Sequence, residues 1–203
     1  MTIKVALIDE STIFRLGLKN CLADSGIEVI GEAADGVSGQ RLIRQKQPDM
    51  VLLSADLPDG AALILCDFAA AYFPQMPMVC LLSLNDFNLL SRLMRTTVKG
   101  FLTKSSVYSL REAIETIHSG KTYLQPDMGL EWLHLHEKQT APAVHALTDR
   151  EYRVLVLWAR GKTGEDIAAI THLSIRTVSN LKSSGFKKLG IGTVEQLREL
   201  ILK

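Results

Sequence analysis

Little in this 203-residue chain is extreme, and each shortage removes a class of protein. There are only three cysteines, Cys21, Cys66 and Cys80. They stand far apart, which fits neither a disulfide framework nor a zinc site and leaves buried free thiols. No apolar run approaches the roughly 20 residues that a membrane-spanning helix needs, and the N-terminus passes directly into strand-like sequence instead of a signal peptide. A cytoplasmic protein with no membrane contact is expected. Internal repeats and low-complexity tracts are lacking too.

What is present is an apolar fraction of 47%. At this length it supports two ordinary cores. The net charge of +1 conceals an asymmetry: from residue 147 onward ten basic residues face six acidic ones, whereas thirteen face sixteen before it. A modestly basic C-terminal part joined to an acidic N-terminal part suits a nucleic-acid partner at one end only.

The C-terminal part carries the more specific pattern. Ile167, Ala168 and Ile170 give a short helix an apolar stripe, with Thr163 as N-cap and Asp166 three residues on. A second helix starts afresh at Ser174, with Val178, Leu181 and Leu189 on one face. Thr177, Ser179, Asn180, Ser183 and Lys187 lie on or near the other. Hydroxyls and amides with lysine at the margin are what a helix needs to meet base edges and phosphates in a major groove. Thr193 and Gln196 form a capping box ahead of a last stripe, Val194, Leu197, Leu200 and Ile201. Leu-Thr-Asp-Arg-Glu-Tyr-Arg-Val-Leu at 147–155, Gly161, Asp-Ile-Ala at 166–168, Leu-Ser-Ile-Arg-Thr-Val-Ser-Asn at 173–180 and Lys-Lys-Leu-Gly at 187–190 together resemble the LuxR-type helix-turn-helix. The resemblance makes Ser174–Leu189 the recognition helix. It places Arg176, Thr177, Ser179, Asn180, Lys182, Ser183 and Lys187 against double-stranded DNA, and gives the last helix a dimer contact. Gly185 departs from the family's large aliphatic residue; a helical glycine costs about 1 kcal/mol relative to alanine, and Phe186 or Leu181 is expected to fill the gap.

The N-terminal part alternates five short apolar strands (3–8, 28–32, 50–54, 78–83, 100–104) with helical patterns at 13–24, 36–46, 61–73, 88–96 and 107–119. That order implies a parallel sheet covered on both faces, with the site at the carboxyl ends of the strands. Asp9, Glu10, Ser54, Ser83 and Lys104 fall at those ends. This half resembles the receiver domain of bacterial response regulators, and the pairing with the C-terminus places the chain near the NarL/FixJ group. The resemblance implies a flavodoxin-like five-stranded sheet of order 2-1-3-4-5, followed by an all-helical domain. Domains at 1–120 and 147–203 are then joined by a linker at 121–146. His134, His136 and His145 in that linker have no cysteine or carboxylate at ligand spacing, so no metal is expected there.

By the same resemblance Asp9 and Glu10 match the magnesium-holding acid pair, Ser83 and Lys104 the groups that contact phosphoryl oxygens, and Phe101 the aromatic switch. Ser54 stands where the family has its phosphoacceptor aspartate. A serine hydroxyl is largely un-ionised near pH 7, and its presence removes one metal ligand and one negative charge. Magnesium at Asp9 and Glu10 is expected to be weak, no other cofactor is implied, and Lys104 is free to pair with Asp9 or Glu10. The sequence reads as a dimeric, non-enzymatic DNA-binding transcription regulator. It takes its signal from a regulatory protein or small molecule rather than from phosphate. The alternatives are an interaction protein that no longer reads DNA, and a phospho-switched regulator using Asp56 or Asp59.

Overall fold

The structure is a computed structural model that describes residues 2–23, 25–82, 87–129, 144 and 146–201. The described chain forms two compact units, an α/β unit and a helical one.

Strands β1 (Ile3–Ile8), β2 (Ile27–Ala33), β3 (Met50–Ser54), β4 (Met78–Leu82), β5 (Val98–Thr103) and β6 (Tyr123–Leu124) make one sheet of order β2-β1-β3-β4-β5-β6. All pairs are parallel. Every residue of β3 and β4 is buried, as expected of central strands covered on both faces. The sheet therefore has six strands where five are read from the sequence. Tyr123 and Leu124 pair with Gly100 and Phe101, so the start of the segment read as a linker belongs to the first unit. A two-residue strand cannot display alternation, which is why no pattern announces it.

Helices α1 (Thr12–Leu22), α2 (Gly36–Lys46), α3 (Ala61–Tyr72), α4 (Phe87–Leu93) and α5 (Leu110–His118) fill the crossovers. Ser11 caps α1 and Asp35 caps α2, each accepting the backbone N–H three residues on. Leu18 and Leu22 of α1 and Leu110, Ala113, Ile114 and Ile117 of α5 share one core with Val5, Leu7, Leu52, Val79, Leu81 and Leu102. Lys104 is not the end of β5: it opens a 3-10 turn, Lys104–Ser109, which replaces the first turn expected of α5.

The second unit contains α6 (Asp149–Ala159), α7 (Gly164–Thr171), α8 (Ile175–Leu189) and α9 (Val194–Ile201). Thr148 with Glu151, and Thr163 with Asp166, form reciprocal capping boxes, and Ser174 caps α8 by accepting from the N–H of Thr177. The turn between α7 and α8 is closed by His172 in the left-handed region, φ 55°. Val154, Leu157, Ile167 and Val178 form the core, with Leu173, Leu181 and Ile170 packed on it. In α9, Leu197 and Ile201 are buried whereas Leu200 stays exposed. Arg198 Nε donates to the Ala159 carbonyl at 2.9 Å, tying α9 to the end of α6. No helix among the described residues is long and apolar enough to cross a membrane.

Gly185 is buried in the face of α8 that meets α6, and Leu155 and Leu147, from outside the helix, lie nearest the space beside it, nearer than Leu181. A Cβ at this position would lie 2.6 Å from Leu155 Cδ1 and 3.2 Å from its Cγ. Leu155 is itself fully buried, so it has little room to give. Gly185→Ala gains about 1 kcal/mol of helix propensity but meets an overpacking cost of about 1–3 kcal/mol. We expect a net loss of about 1 kcal/mol, read as a lower urea midpoint at unchanged m-value. Gly17→Ala is the control, because nothing lies within 4 Å of a Cβ there. It should raise the midpoint of the first unit by the equivalent of about 0.5–1 kcal/mol.

Candidate functional sites

At the carboxyl edge of the sheet, β1 ends on Asp9, which is 2% exposed. Its Oδ1 accepts from the N–H of Ser11 at 2.8 Å, and Arg15 of α1 donates to its carbonyl at 2.6 Å. Lys104 Nζ lies 3.0 Å from Asp9 Oδ2, 2.9 Å from Glu10 Oε1 and 3.4 Å from Asp56 Oδ2. Ser54 is fully buried at the end of β3. Its Oγ accepts from the N–H of Asp56 at 3.1 Å. The sheet thus brings Asp9, Glu10, Ser54 and Lys104 together as expected. It adds Asp56, whose carboxylate reaches Lys104 although the residue lies beyond the strand end.

Burial acts to raise the Glu10 carboxyl, but the hydrogen bonds from Lys104, its own backbone and Ser54 outweigh it and hold the group below the ordinary carboxylate range. Burial likewise acts to lower the Lys104 ammonium, and Glu10 and Asp9 outweigh it, so the lysine is held above its ordinary value. Phe101 is buried in β5. Ser83 lies outside the described residues, as do His134, His136 and His145. Asp59 sits in a 3-10 turn, Pro58–Gly60.

These residues do not fit a magnesium ion. The ammonium of Lys104 occupies the space between the two acids, where an ion at about 2.0–2.1 Å from their oxygens would have to sit. Position 54 offers a neutral hydroxyl in place of a charged ligand. Among the described residues no cluster of three or more His, Cys, Asp or Glu side chains is arranged to hold a metal.

Behind Lys104 lies a buried polar network that the sequence does not announce. Gln125, 5% exposed, accepts through Oε1 from the Thr103 N–H at 2.8 Å and the Thr103 hydroxyl at 3.1 Å. Its Nε2 donates to Ser106 Oγ at 2.8 Å. The residue just after β6 thus fixes the strand end that carries Lys104.

Removing Lys104 would take from the buried Asp9 carboxylate the ammonium that lies 3.0 Å from it. Lys104→Met is expected to destabilise the first unit by about 3 kcal/mol at pH 7. Glu10 has a folded-state pKa below its unfolded one, so its pairing stabilises above about 4.5 and is lost as the pH falls through the depressed value. The gap between wild type and variant should therefore narrow below pH 4.5, as checked by thermal midpoints against pH.

In the helical unit, α8 leaves Arg176, Ser179, Asn180, Ser183 and Lys187 exposed. Successive residues turn by about 100°, so these five share one outward face. Thr177 and Lys182, read from the sequence as DNA-facing, are half-buried. The Thr177 hydroxyl lies 2.8 Å from Ser174 Oγ within the cap. Lys182 Nζ lies 4.0 Å from the centroid of the Trp158 ring.

The opposite flank is set by Glu151, which the sequence shows only as one member of a Thr-x-x-Glu box. It is 4% exposed, and it accepts from Ser184 Oγ at 2.7 Å and from Lys188 Nζ at 2.7 Å. Burial acts to raise its pKa, yet Lys188, Ser184 and Thr148 hold it at about 2. Because the folded value lies below the unfolded 4.5, this tie stabilises α8 on α6 at neutral pH and is lost between pH 4.5 and about 2. Glu151→Gln should cost about 2–3 kcal/mol at pH 7, and the difference should vanish near pH 2 in denaturant titrations across that range.

A parallel sheet with an acidic pair, hydroxyl and lysine at its carboxyl edge, followed by a capped helix-turn-helix unit, defines a regulator that pairs a receiver-like domain with a DNA-binding one. The family model for the response regulator receiver domain matches residues 5–115, and that for bacterial regulatory proteins of the luxR family matches residues 145–201. The chain belongs to the response regulators of the luxR family and is a DNA-binding transcription regulator. It is 27% identical over 210 residues to the oxygen regulatory protein NreC of Staphylococcus carnosus strain TM300, spanning 98% of this chain and 97% of that one. It is 29% identical over 212 residues to NreC of Staphylococcus aureus strain MRSA252, with the same coverage. Among solved structures, the RcsB response regulator of Salmonella typhimurium shares the fold with a TM-score of 0.79 at 22% identity, over 99% of this chain and 97% of that one.

Proposed function

We propose that this regulator binds double-stranded DNA through the outward face of α8, as a homodimer in the cytoplasm, without phosphorylation at position 54. It acts by binding and not by catalysis. A regulatory protein or small molecule supplies the signal at the receiver-like unit. The observation that carries this reading is the ammonium of Lys104, seated among Asp9, Glu10 and Asp56 beside the fully buried hydroxyl of Ser54. A phosphoryl group arriving there would need a carboxylate nucleophile and a metal to gather charge. The pocket holds a neutral hydroxyl in place of the first and a lysine in place of the second. RcsB, whose fold this chain shares, is solved in complex with DNA, which supports the DNA-binding reading. Exposed Leu200 on α9, next to buried Leu197 and Ile201, leaves an apolar residue for a contact between copies.

A second reading keeps phosphorylation and moves the acceptor to Asp56, favoured by the approach of its carboxylate to Lys104. Mass analysis after incubation with a small phosphodonor and magnesium separates the two: the first reading expects no added phosphate, and the second expects one that Asp56→Asn abolishes. Ser54→Asp returns a carboxylate to the strand end, so magnesium should then raise the thermal midpoint, whereas it should leave that of the wild type unchanged.

On the DNA side, Lys187→Ala should weaken binding to all sequences alike and flatten the salt dependence by about one unit. Asn180→Ala should instead relax the preference among selected sites. If titrations with genomic fragments show both variants unchanged in affinity and preference, α8 is not the reading element.

A further inference from the structure

The lysines of α8 have three different fates. Lys188, at the surface, is paired with buried Glu151 at 2.7 Å. Lys187 is exposed on the outward face. Lys182 is half-buried, with its Nζ 4.0 Å from the Trp158 ring centroid and 5.4 Å from that of Phe186, one turn further along the same helix. By the 100° spacing, Lys182 and Lys188 flank the outward face on opposite sides.

The Trp158 ring is itself held. It packs on the core formed by Val154, Leu157, Ile167 and Val178, and the first residue of α7, Gly164, comes so close that a Cβ there would lie 3.4 Å from Trp158 Cη2. The ring face is a fixed platform at the edge of the recognition helix. An ammonium over a ring keeps its full charge, because the ring accepts no proton and carries no opposite charge to cancel it. One side of the ammonium meets the ring, and its other N–H donors remain free to point outward. A lysine alone loses extensive rotamer freedom on meeting a phosphate; one already laid over a ring has lost part of it beforehand.

We propose that Trp158 is a positioning residue for DNA binding: with Phe186 it holds the ammonium of Lys182 at the flank of α8 as a pre-set contact for a backbone phosphate. The inference rests on the DNA-binding reading of α8 and adds a residue from α6 that never touches the duplex. Lys182 stays on the rings when DNA binds. It contributes affinity without sequence preference, as a phosphate contact does.

The test uses the full chain and a fluorescently labelled duplex of mixed sequence, with binding measured across a salt series. Lys182→Ala should lower the salt slope by about one unit, the value of one phosphate contact. Trp158→Leu should lower it by a similar or smaller amount, Trp158→Phe should restore it by keeping a ring face, and the double variant Trp158→Leu with Lys182→Ala should lose no more than Lys182→Ala alone. A purely structural tryptophan would change stability and leave the slope alone. An unchanged slope in Lys182→Ala, or losses that add in the double variant, overturns the inference. Should Trp158→Leu not fold, the wild type carries the test by nuclear magnetic resonance: the ε-methylene protons of Lys182 should show an upfield ring-current shift that persists when DNA is added, and its disappearance on binding overturns the proposal. A wild type with no salt-dependent binding would sink the DNA reading and this inference with it, whereas a normal wild-type slope unchanged in Trp158→Leu overturns the inference alone.

Discussion

A carboxylate buried at the end of a parallel strand must find a cation, and for Asp9 that cation is Lys104. The sheet topology makes the encounter unavoidable. Parallel strands in the order β2-β1-β3-β4-β5-β6 all end on one edge, so β1, β3 and β5 deliver their acid, hydroxyl and lysine to one place. In a site with a phosphorylatable carboxylate, a lysine and a divalent ion divide the negative charge between them. Here the hydroxyl at 54 has removed one anion, Asp56 has come within 3.4 Å, and a single ammonium serves Asp9, Glu10 and Asp56. The cation that sits between Asp9 and Glu10 is thus supplied by the chain itself.

The helical unit obeys the same rule with different residues. Glu151 is buried where α6 meets α8, and it is tolerated because Lys188, Ser184 and Thr148 satisfy its oxygens. Together with Gly185, which lets Leu155 lie close against the backbone of α8, this tie sets how far α8 stands from α6. The outward face of α8 is therefore aimed by its inward face. The polar residues that face solvent contribute little to holding the helix in place.

Much of this was legible from residue order. β1 and β3 begin and end where their apolar runs do, and Thr163 and Ser174 cap the helices that their positions imply. Asp9, Glu10, Ser54 and Lys104 were also readable as a group, because parallel strands carry their terminal residues to one edge. What stayed hidden depended on side-chain reach or on distance along the chain. Asp56 lies past its strand, and only a folded backbone shows its carboxylate turning back toward Lys104. β6 is too short for a periodic signal. Leu155 as the occupant of the space at Gly185 joins residues thirty positions apart, and Lys182 over Trp158 joins two helices, neither of which shows the contact in its own sequence.

Gln125 gives the short sixth strand a further meaning. Its amide grips Thr103, the residue just before Lys104, while its own N–H is held by the Phe101 carbonyl at 3.0 Å. The chain leaves the sheet immediately afterwards. Its point of departure is thus tied by hydrogen bonds to the strand end that bears Lys104. Displacing that strand end means breaking an amide clamp buried from water, so the pocket and the exit of the chain share a single mechanical threshold.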